Sequence, residues 1–322
     1  MKDYLYYRAI NWNEIEDTLD QYTWQQMVAN FWLDTRVPVI EDKTGWEALA
    51  PDERDALAQS LADLATLESF QSEISLPTLQ KNRRTQEESS VFNNMTFMAS
   101  VHAKSMSTIL LAFQDKAVVK ALFKNAGENP QLQAMIATLR NMYDSDDVLE
   151  KQAANVIITT CLTYVHLFDL FELSQAYDLK NITFIGELII RDNAIAAIYT
   201  GHKFKLNFNE ATPTQQAHIQ DKVTQVLQSI LTQETARLTA NSWENQYQND
   251  VLSLLQLGID RTLTLLGLEN TMALVFKATT PSTTYTKINA QVVDENQFTH
   301  DASQYTVAQH NTENMDSQDY NF

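Results

Sequence analysis

Between Ala153 and Leu173 the sequence AANVIITTCLTYVHLFDLFEL is apolar on almost every side of a helix. A helix with no face to offer water is stable only when other helices surround it. The segment therefore demands a bundle, and the rest of the chain can supply one. In 322 residues there are only 6 Gly and 6 Pro, the residues on which tight turns and hairpins depend. The chain accordingly reads as all-α, with long helices and few turns.

The long helical patterns begin at Pro51, where proline in the first turn is followed by Asp52 and Glu53 at the positive end of the helix dipole. From there Leu57, Leu61, Leu64, Ala65 and Glu68 recur at helical spacing, which puts a carboxylate on the apolar face. A charge in that position is costly unless it is paired. Further helices are expected over about 86–113, 131–143, 147–176, 181–203, 211–238 and 240–267, with Gly267 as the last C-cap. Residues 1–50 mix short aromatic helices with a connector, FWLDTRVPVIED, whose Pro38 cannot lie inside a helix.

Two units follow: a helical domain over 1–280, including the aromatic N-terminal segment, and a tail over 281–322. The tail is rich in Thr, Gln, Asn and Ser and holds six acids against one Lys. It reads as flexible, yet it ends in Tyr320 and Phe322, two apolar anchors suited to a partner's groove. A formal charge of -18 disfavours nucleic acid as a ligand, because a phosphate backbone needs clustered Lys and Arg. The start, MKDYLYYRAI, has no apolar signal-like core, and no stretch reaches about 18 uninterrupted apolar residues. No membrane association and a cytoplasmic location are the expectation. Cys161, the sole cysteine, reads as a buried structural thiol, and His166 and His202 lack a metal-spaced partner.

Long helices with inward carboxylates suggest the di-metal carboxylate bundle. Its ligands are one acid from each of two helices and a Glu-x-x-His from each of two others, the i,i+3 spacing placing both side chains on one face. The frame is present and the chemistry is missing. The segments AINWNEIED, NFWLDTRVPV, FMASVHAKS, LIIRDNAIAAIYTGHK and the terminal DYNF resemble the class Ib ribonucleotide reductase beta subunit over nearly the whole chain. The resemblance implies a ferritin-like helical homodimer that builds a tyrosyl radical on a dimanganese or diiron centre. The family passes that radical to a catalytic alpha subunit, which reduces ribonucleoside diphosphates.

Carried over position by position, the resemblance places the family's first carboxylate on Glu68. Its first Glu-x-x-His falls on Ala99 to His102, so that only the histidine survives. The glutamate of the central helix falls on Thr159, and the second Glu-x-x-His on Asn193 to Ala196, losing both ligands. The radical tyrosine falls on Met106. Glu68 and His102 alone cannot fix a pair of hard cations, so no metal and no cofactor are expected. Four buried carboxylates without metals would repel one another, whereas Ala, Thr and Asn leave one Glu68–His102 pair in a neutral pocket. By the same resemblance the family's radical path falls on Trp32, Asp192 and His102, with the relay tyrosine of the tail on Tyr305. Each of these has an ordinary reading as core filler, buried pair or tail residue.

The reading that follows is a beta-subunit homologue that binds the alpha subunit and makes no metal-dependent radical. It would act as a homodimer or as a mixed dimer with an intact beta chain. Two alternatives stand beside it: a working beta subunit with an unconventional metal-free radical, for which Tyr164 is the nearby phenol, and a binder of small molecules in the vacated pocket. Whether the chain is itself catalytic stays open at this point.

Overall fold

The computed structural model describes residues 9–240 and 245–272, together with residues 283, 284, 286 and 288. No strand occurs among the described residues, and the helices form one bundle around the 153–173 segment. Helix α1 (Thr18–Ala29) starts at Asp17, whose carboxylate accepts the Leu19 N–H at 3.0 Å. After two short 3₁₀ turns on either side of Pro38 come α2 (Lys43–Ala48) and α3 (Pro51–Phe70). Glu53 closes the start of α3 by reaching back to the Ala50 N–H at 2.9 Å. Helix α3 then widens into a π-helical turn, Gln71–Ser75, before α4 (Leu76–Lys81). Helix α5 (Gln86–Phe113) is opened by Thr85, whose hydroxyl accepts the Glu88 N–H at 3.0 Å, while Glu88 reaches back to the Arg84 N–H at 2.7 Å.

The next elements are α6 (Lys116–Glu128), α7 (Pro130–Tyr143) and α8 (Val148–Ile157), then a second π-helical turn, Ile158–Leu162, and α9 (Thr163–Leu173). The chain continues with α10 (Lys180–Glu210), α11 (Pro213–Ala240) and α12 (Asn245–Leu266). Gly267, at φ 68°, ends α12: the Leu268 N–H bonds to Leu263 O and the Gly267 N–H to Thr264 O. That is a Schellman closure, as expected from its position. Helix α3 packs along α5 and α9, α10 along α8, and α12 against the second π turn. At that last contact a side chain on Gly258 would stand 2.4 Å from the Thr160 carbonyl oxygen, so only glycine permits the approach.

Two expectations need correction, and a third, the lack of a long uninterrupted apolar run, holds. Sequence periodicity leaves 116–128 without a helix, yet α6 lies there; it buries only Val119 and Ala126, too few to make a readable stripe. The single central helix expected over 147–176 is two helices in different phase, joined through the π turn. In a segment buried on all sides, an extra residue leaves no mark on the hydrophobic pattern. The two phases are each held by buried polar contacts: the Asn155 side-chain oxygen accepts from the Thr200 hydroxyl at 3.0 Å before the turn, and Asp169 accepts from Ser60 after it. Finally, Val148–Leu173 is apolar and long enough by mean hydropathy to cross a membrane, although its threonines interrupt any pure apolar run. It is almost wholly buried between the other helices and is the core helix of the bundle.

Candidate functional site

Where α3, α5 and α10 meet, four polar side chains form a continuous buried chain with Trp32, which lies just after α1. Glu68 is fully buried on α3, as its place on the apolar face requires, and it finds the partner that such a charge needs. That partner is His102 on α5, whose Nδ1 lies 3.1 Å from a Glu68 carboxylate oxygen. The opposite ring nitrogen, Nε2, lies 3.2 Å from Asp192 Oδ2 on α10. The same Asp192 oxygen accepts the Trp32 indole N–H at 2.8 Å, and the indole and imidazole rings stack with centroids 5.8 Å apart. The other Asp192 oxygen accepts from Arg191, which also donates to the Asn30 carbonyl at 2.8 Å and so ties the Trp32 segment to α10. Asn193 closes the far end, its amide donating to the second Glu68 oxygen at 3.2 Å and to Ile189 O at 3.1 Å.

An imidazole with a carboxylate oxygen at each nitrogen satisfies both contacts only when both nitrogens carry hydrogen. Burial by itself would lower the His102 pKa. The Glu68 charge and the hydrogen bonds to Asp192 and Glu68 outweigh it and raise the pKa from 6.5 to about 9. Asp192 is likewise buried, which disfavours its charge, but His102, Arg191 and the Trp32 N–H hold its carboxyl below the ordinary range. Two carboxylates, one imidazolium and one guanidinium thus balance within a few ångströms.

Beside this chain is a cavity of about 20 Å³, room for one or two waters. Glu68, Ala99, His102, Asp192, Asn193 and Ala196 all border it, so five of the six positions carried over as ligand sites converge there, with Asp192. Thr159 does not border it. Its hydroxyl turns back onto its own helix and donates to Asn155 O and Val156 O. Met106 is fully buried and also stays away from the cavity. Among the described residues no group of three or more His, Cys, Asp or Glu side chains is arranged to hold a metal ion.

Tyr164 is fully buried, its hydroxyl meets no hydrogen-bond partner, and burial pushes its pKa up to about 12. Cys161 is buried beside Thr262 and Thr160, and burial raises its thiol to about 11, as suits a structural cysteine. His166 donates through Nδ1 to Leu162 O, and His202 pairs with Asp17 at 2.9 Å. Tyr305, Tyr320 and Phe322 lie outside the described residues. Sequence reasoning missed Met27, Gln71, Leu76, Met95 and Met98, which complete the cavity wall. The i,i+3 spacing of Met95 and Met98 was available as a signal, but thioethers at helical spacing are ordinarily core.

Comparison with known proteins bears on this arrangement. The family described as ribonucleotide reductase, small chain, matches residues 9–273. Ribonucleoside-diphosphate reductase 2 subunit beta of Escherichia coli (strain K12) is 29% identical over 261 residues, covering 81% of this chain and 82% of that protein. Subunit beta nrdF1 of Mycobacterium tuberculosis is 27% identical, covering 80% of each. Among solved structures, the dimanganese(II)-NrdF of Streptococcus sanguinis superposes with a TM-score of 0.82 at 32% identity, covering 89% of this chain and all of that one. A putative class I ribonucleotide reductase from Bacillus halodurans, at 17% identity and TM-score 0.73, shares the fold.

Proposed function

This chain belongs to the ribonucleotide reductase small-chain family, and from that premise we propose that it works without a dinuclear metal centre, by binding the catalytic alpha subunit. It is a beta-subunit homologue in deoxyribonucleotide synthesis, close in structure to an NrdF protein. The observation that carries the metal-free reading is the donor set at the cavity: of the ligand positions given by the resemblance that border it, only Glu68 and His102 keep a metal-binding side chain. Beside them, Ala99 and Ala196 offer methyl groups and Asn193 offers an amide already donating to Glu68. Hard divalent cations take six or so oxygen and nitrogen donors, and this donor set does not fit two of them. With Met106 in the place of the radical tyrosine, the usual tyrosyl radical has no phenol on which to form.

What remains is a frame suited to association. Phe31 and Phe97 stack on the surface with centroids 5.9 Å apart and stay 40% and 49% exposed. An exposed apolar pair of this kind supports self-association, or pairing with an intact beta chain. The acidic tail would carry the contact with alpha through Tyr320 and Phe322, and a cytoplasmic location follows from that partner. Trp32, Asp192 and His102, on which the resemblance places the family's radical path, are joined by hydrogen bonds through Asp192, with Glu68 beyond His102.

The rival reading, a metal-free radical enzyme, needs a phenol that can lose its proton on oxidation. The Tyr164 hydroxyl makes no hydrogen bond to another described side chain or backbone group, which favours the partner reading over that one. The deciding experiment reconstitutes the full chain with iron(II) or manganese(II) under air and measures its metal by elemental analysis. It then titrates alpha with the chain and follows reductase activity of alpha plus an intact beta subunit. The expected outcome is well under about one metal per chain, with binding to alpha and a change in its activity. Two metals per chain would overturn the metal-free reading, and absence of any effect on alpha would overturn the partner reading.

A further inference from the structure

We propose that the lysine face of α6 is a docking surface for this chain's own acidic C-terminal segment, residues 289–322, and withholds that segment from the alpha subunit. The contact within the chain stands apart from the partner reading above; only its effect on alpha rests on that reading. Lys116, Lys120 and Lys124 follow one another at i,i+4 along α6, so their side chains share one face. All three are exposed, and the helix carries no acid from Lys116 to Gly127, in a chain of formal charge -18. Lys124 makes an exposed pair with Glu128 at 3.8 Å, whereas Lys116 and Lys120 meet no carboxylate among the described residues. Gly127 continues the face with open space where a side chain would stand, and half-buried Phe123 borders it. The helix buries only Val119 and Ala126, so this face is left without a covering element among the described residues.

The occupant follows from charge and from where the described chain ends. Residues 289–322 hold Asp294, Glu295, Asp301, Glu313, Asp316 and Asp319, and no Lys or Arg. The last described residue, Ile288, is buried, and Thr284 just before it bonds to Glu172 and Gln175 at 2.5 and 2.6 Å. Two residues on, the Tyr177 hydroxyl donates to Glu53 in the first turn of α3 at 2.7 Å. Helix α6 runs beside α3 in the same direction, with Leu122 next to Gln59 and Asn129 next to Asp63. Its lysine-bearing start and the departure point of the acidic segment therefore lie at one end of the bundle. At about 3.3 Å per extended residue, every acid of the segment is close enough along the chain to reach that face. An exposed ion pair is individually weak, but attachment to the same chain supplies an effective concentration on the order of millimolar, and several pairs act together. Asp316 and Asp319 flank the anchors Tyr320 and Phe322, so pairing them with α6 competes with delivery of the anchors to a partner.

The test treats full-length protein with a zero-length carbodiimide, which joins an amine to a carboxylate only where the two touch, and maps the products by mass spectrometry. Light and isotopically heavy chains are first mixed and allowed to exchange, which separates contacts within a chain from contacts between copies. Light–light and heavy–heavy products joining Lys116, Lys120 or Lys124 to residues 294–319 are expected. Their yield should fall more than about 10-fold near 1 M salt, where the screening length is about 3 Å. Replacing all three lysines, Lys116→Gln, Lys120→Gln and Lys124→Gln, should leave the melting temperature unchanged on so exposed a face. It should speed cleavage at Glu295 and Glu313 by a glutamate-specific protease at least about 3-fold, while the charge-keeping Lys→Arg set cleaves at the wild-type rate. The Gln variant should also bind alpha about 3–10-fold more tightly, because its anchors are no longer sequestered. Cross-links spread evenly over exposed lysines such as Lys43 and Lys180 would overturn the proposal. Mixed light–heavy products, which would make a second copy the occupant, or unchanged cleavage in the Gln variant would do the same. If no variant binds alpha, the partner reading fails while the cross-links and cleavage rates still decide the docking.

Discussion

Ala99→Glu puts a carboxylate into the cavity at a position where the resemblance places a family ligand, and it should destabilise the protein in a way that depends on pH. Ala99 borders a cavity with room for only one or two waters, so the longer side chain must push on buried neighbours, and overpacking alone should cost about 1–3 kcal/mol. The charge adds a second cost. Glu68 already borders the cavity, and the nearby cations, His102 and Arg191, are both committed to existing carboxylates. A new carboxylate finds no free counter-ion and escapes by taking up a proton. From an ordinary value of about 4.3, protonation at pH 7 costs at most about 3.7 kcal/mol, which caps the charge penalty. The new carboxyl's folded-state pKa is raised, so the folded form binds more protons than the unfolded one, and the penalty must shrink as pH falls. Urea denaturation of wild type, Ala99→Glu and the uncharged steric control Ala99→Gln, between about pH 5 and pH 7.5, measures both parts. The excess loss in Ala99→Glu over Ala99→Gln should be about 2–3.5 kcal/mol at pH 7 and decline by up to about 1.4 kcal/mol per pH unit on acidification. Equal losses in the two variants at every pH would refute the reasoning, because the cavity would then be wet enough to solvate a charge.

Restoring the whole set, Ala99→Glu, Thr159→Glu, Asn193→Glu and Ala196→His, should recover manganese uptake and a metal-linked rise in melting temperature; a melt indifferent to manganese would count against inherited geometry. His102, raised from 6.5 to about 9 in the folded protein, contributes stability that is complete below about pH 6.5 and is lost as pH rises through about 9, up to about 3 kcal/mol. Denaturation midpoints should fall across that window in wild type and much less in His102→Gln, and parallel profiles would remove the imidazolium from the account. Deleting residues 305–322 should abolish binding to alpha while leaving the circular dichroism unchanged, and Phe322→Ala alone should weaken it by about 2 kcal/mol or more; retained binding in a titration of alpha with the truncated chain would place the contact elsewhere.

The parts of the fold legible in sequence were those written in local chemistry. Pro51 with two acids announces the start of α3, and Gly267 announces the end of α12 because a left-handed residue is needed there. The bounds of α5, Gln86–Phe113, follow from its caps and its uninterrupted apolar face. Glu68 was legible as a buried charge that needed a partner. Its two partners were not derivable from periodicity, because His102 and Asn193 come from other helices, 34 and 125 residues away, and sequence spacing carries no information about that meeting. Resemblance supplied His102 and Asn193 as ligand positions but not the hydrogen bonds they make without a metal. Thr159 shows the limit of position-by-position transfer: the resemblance gives it as a ligand position, yet it does not border the cavity and its hydroxyl is spent on its own helix.

The π-helical turn Ile158–Leu162 has one more consequence, for which changes in chain length this protein can tolerate. One residue on an α-helix is a rotation of about 100°, and the wider π turn takes up one surplus residue while turning through about the same angle. Deleting Thr160 would therefore return the turn to α spacing with α8 and α9 on their present bearings, so that Asn155 still meets Thr200 and Asp169 still meets Ser60. A residue gained or lost beyond the turn has no such outlet and would swing every later side chain of the helix to a new bearing. The wide turn is thus a point at which this buried helix can give up a residue and keep its contacts.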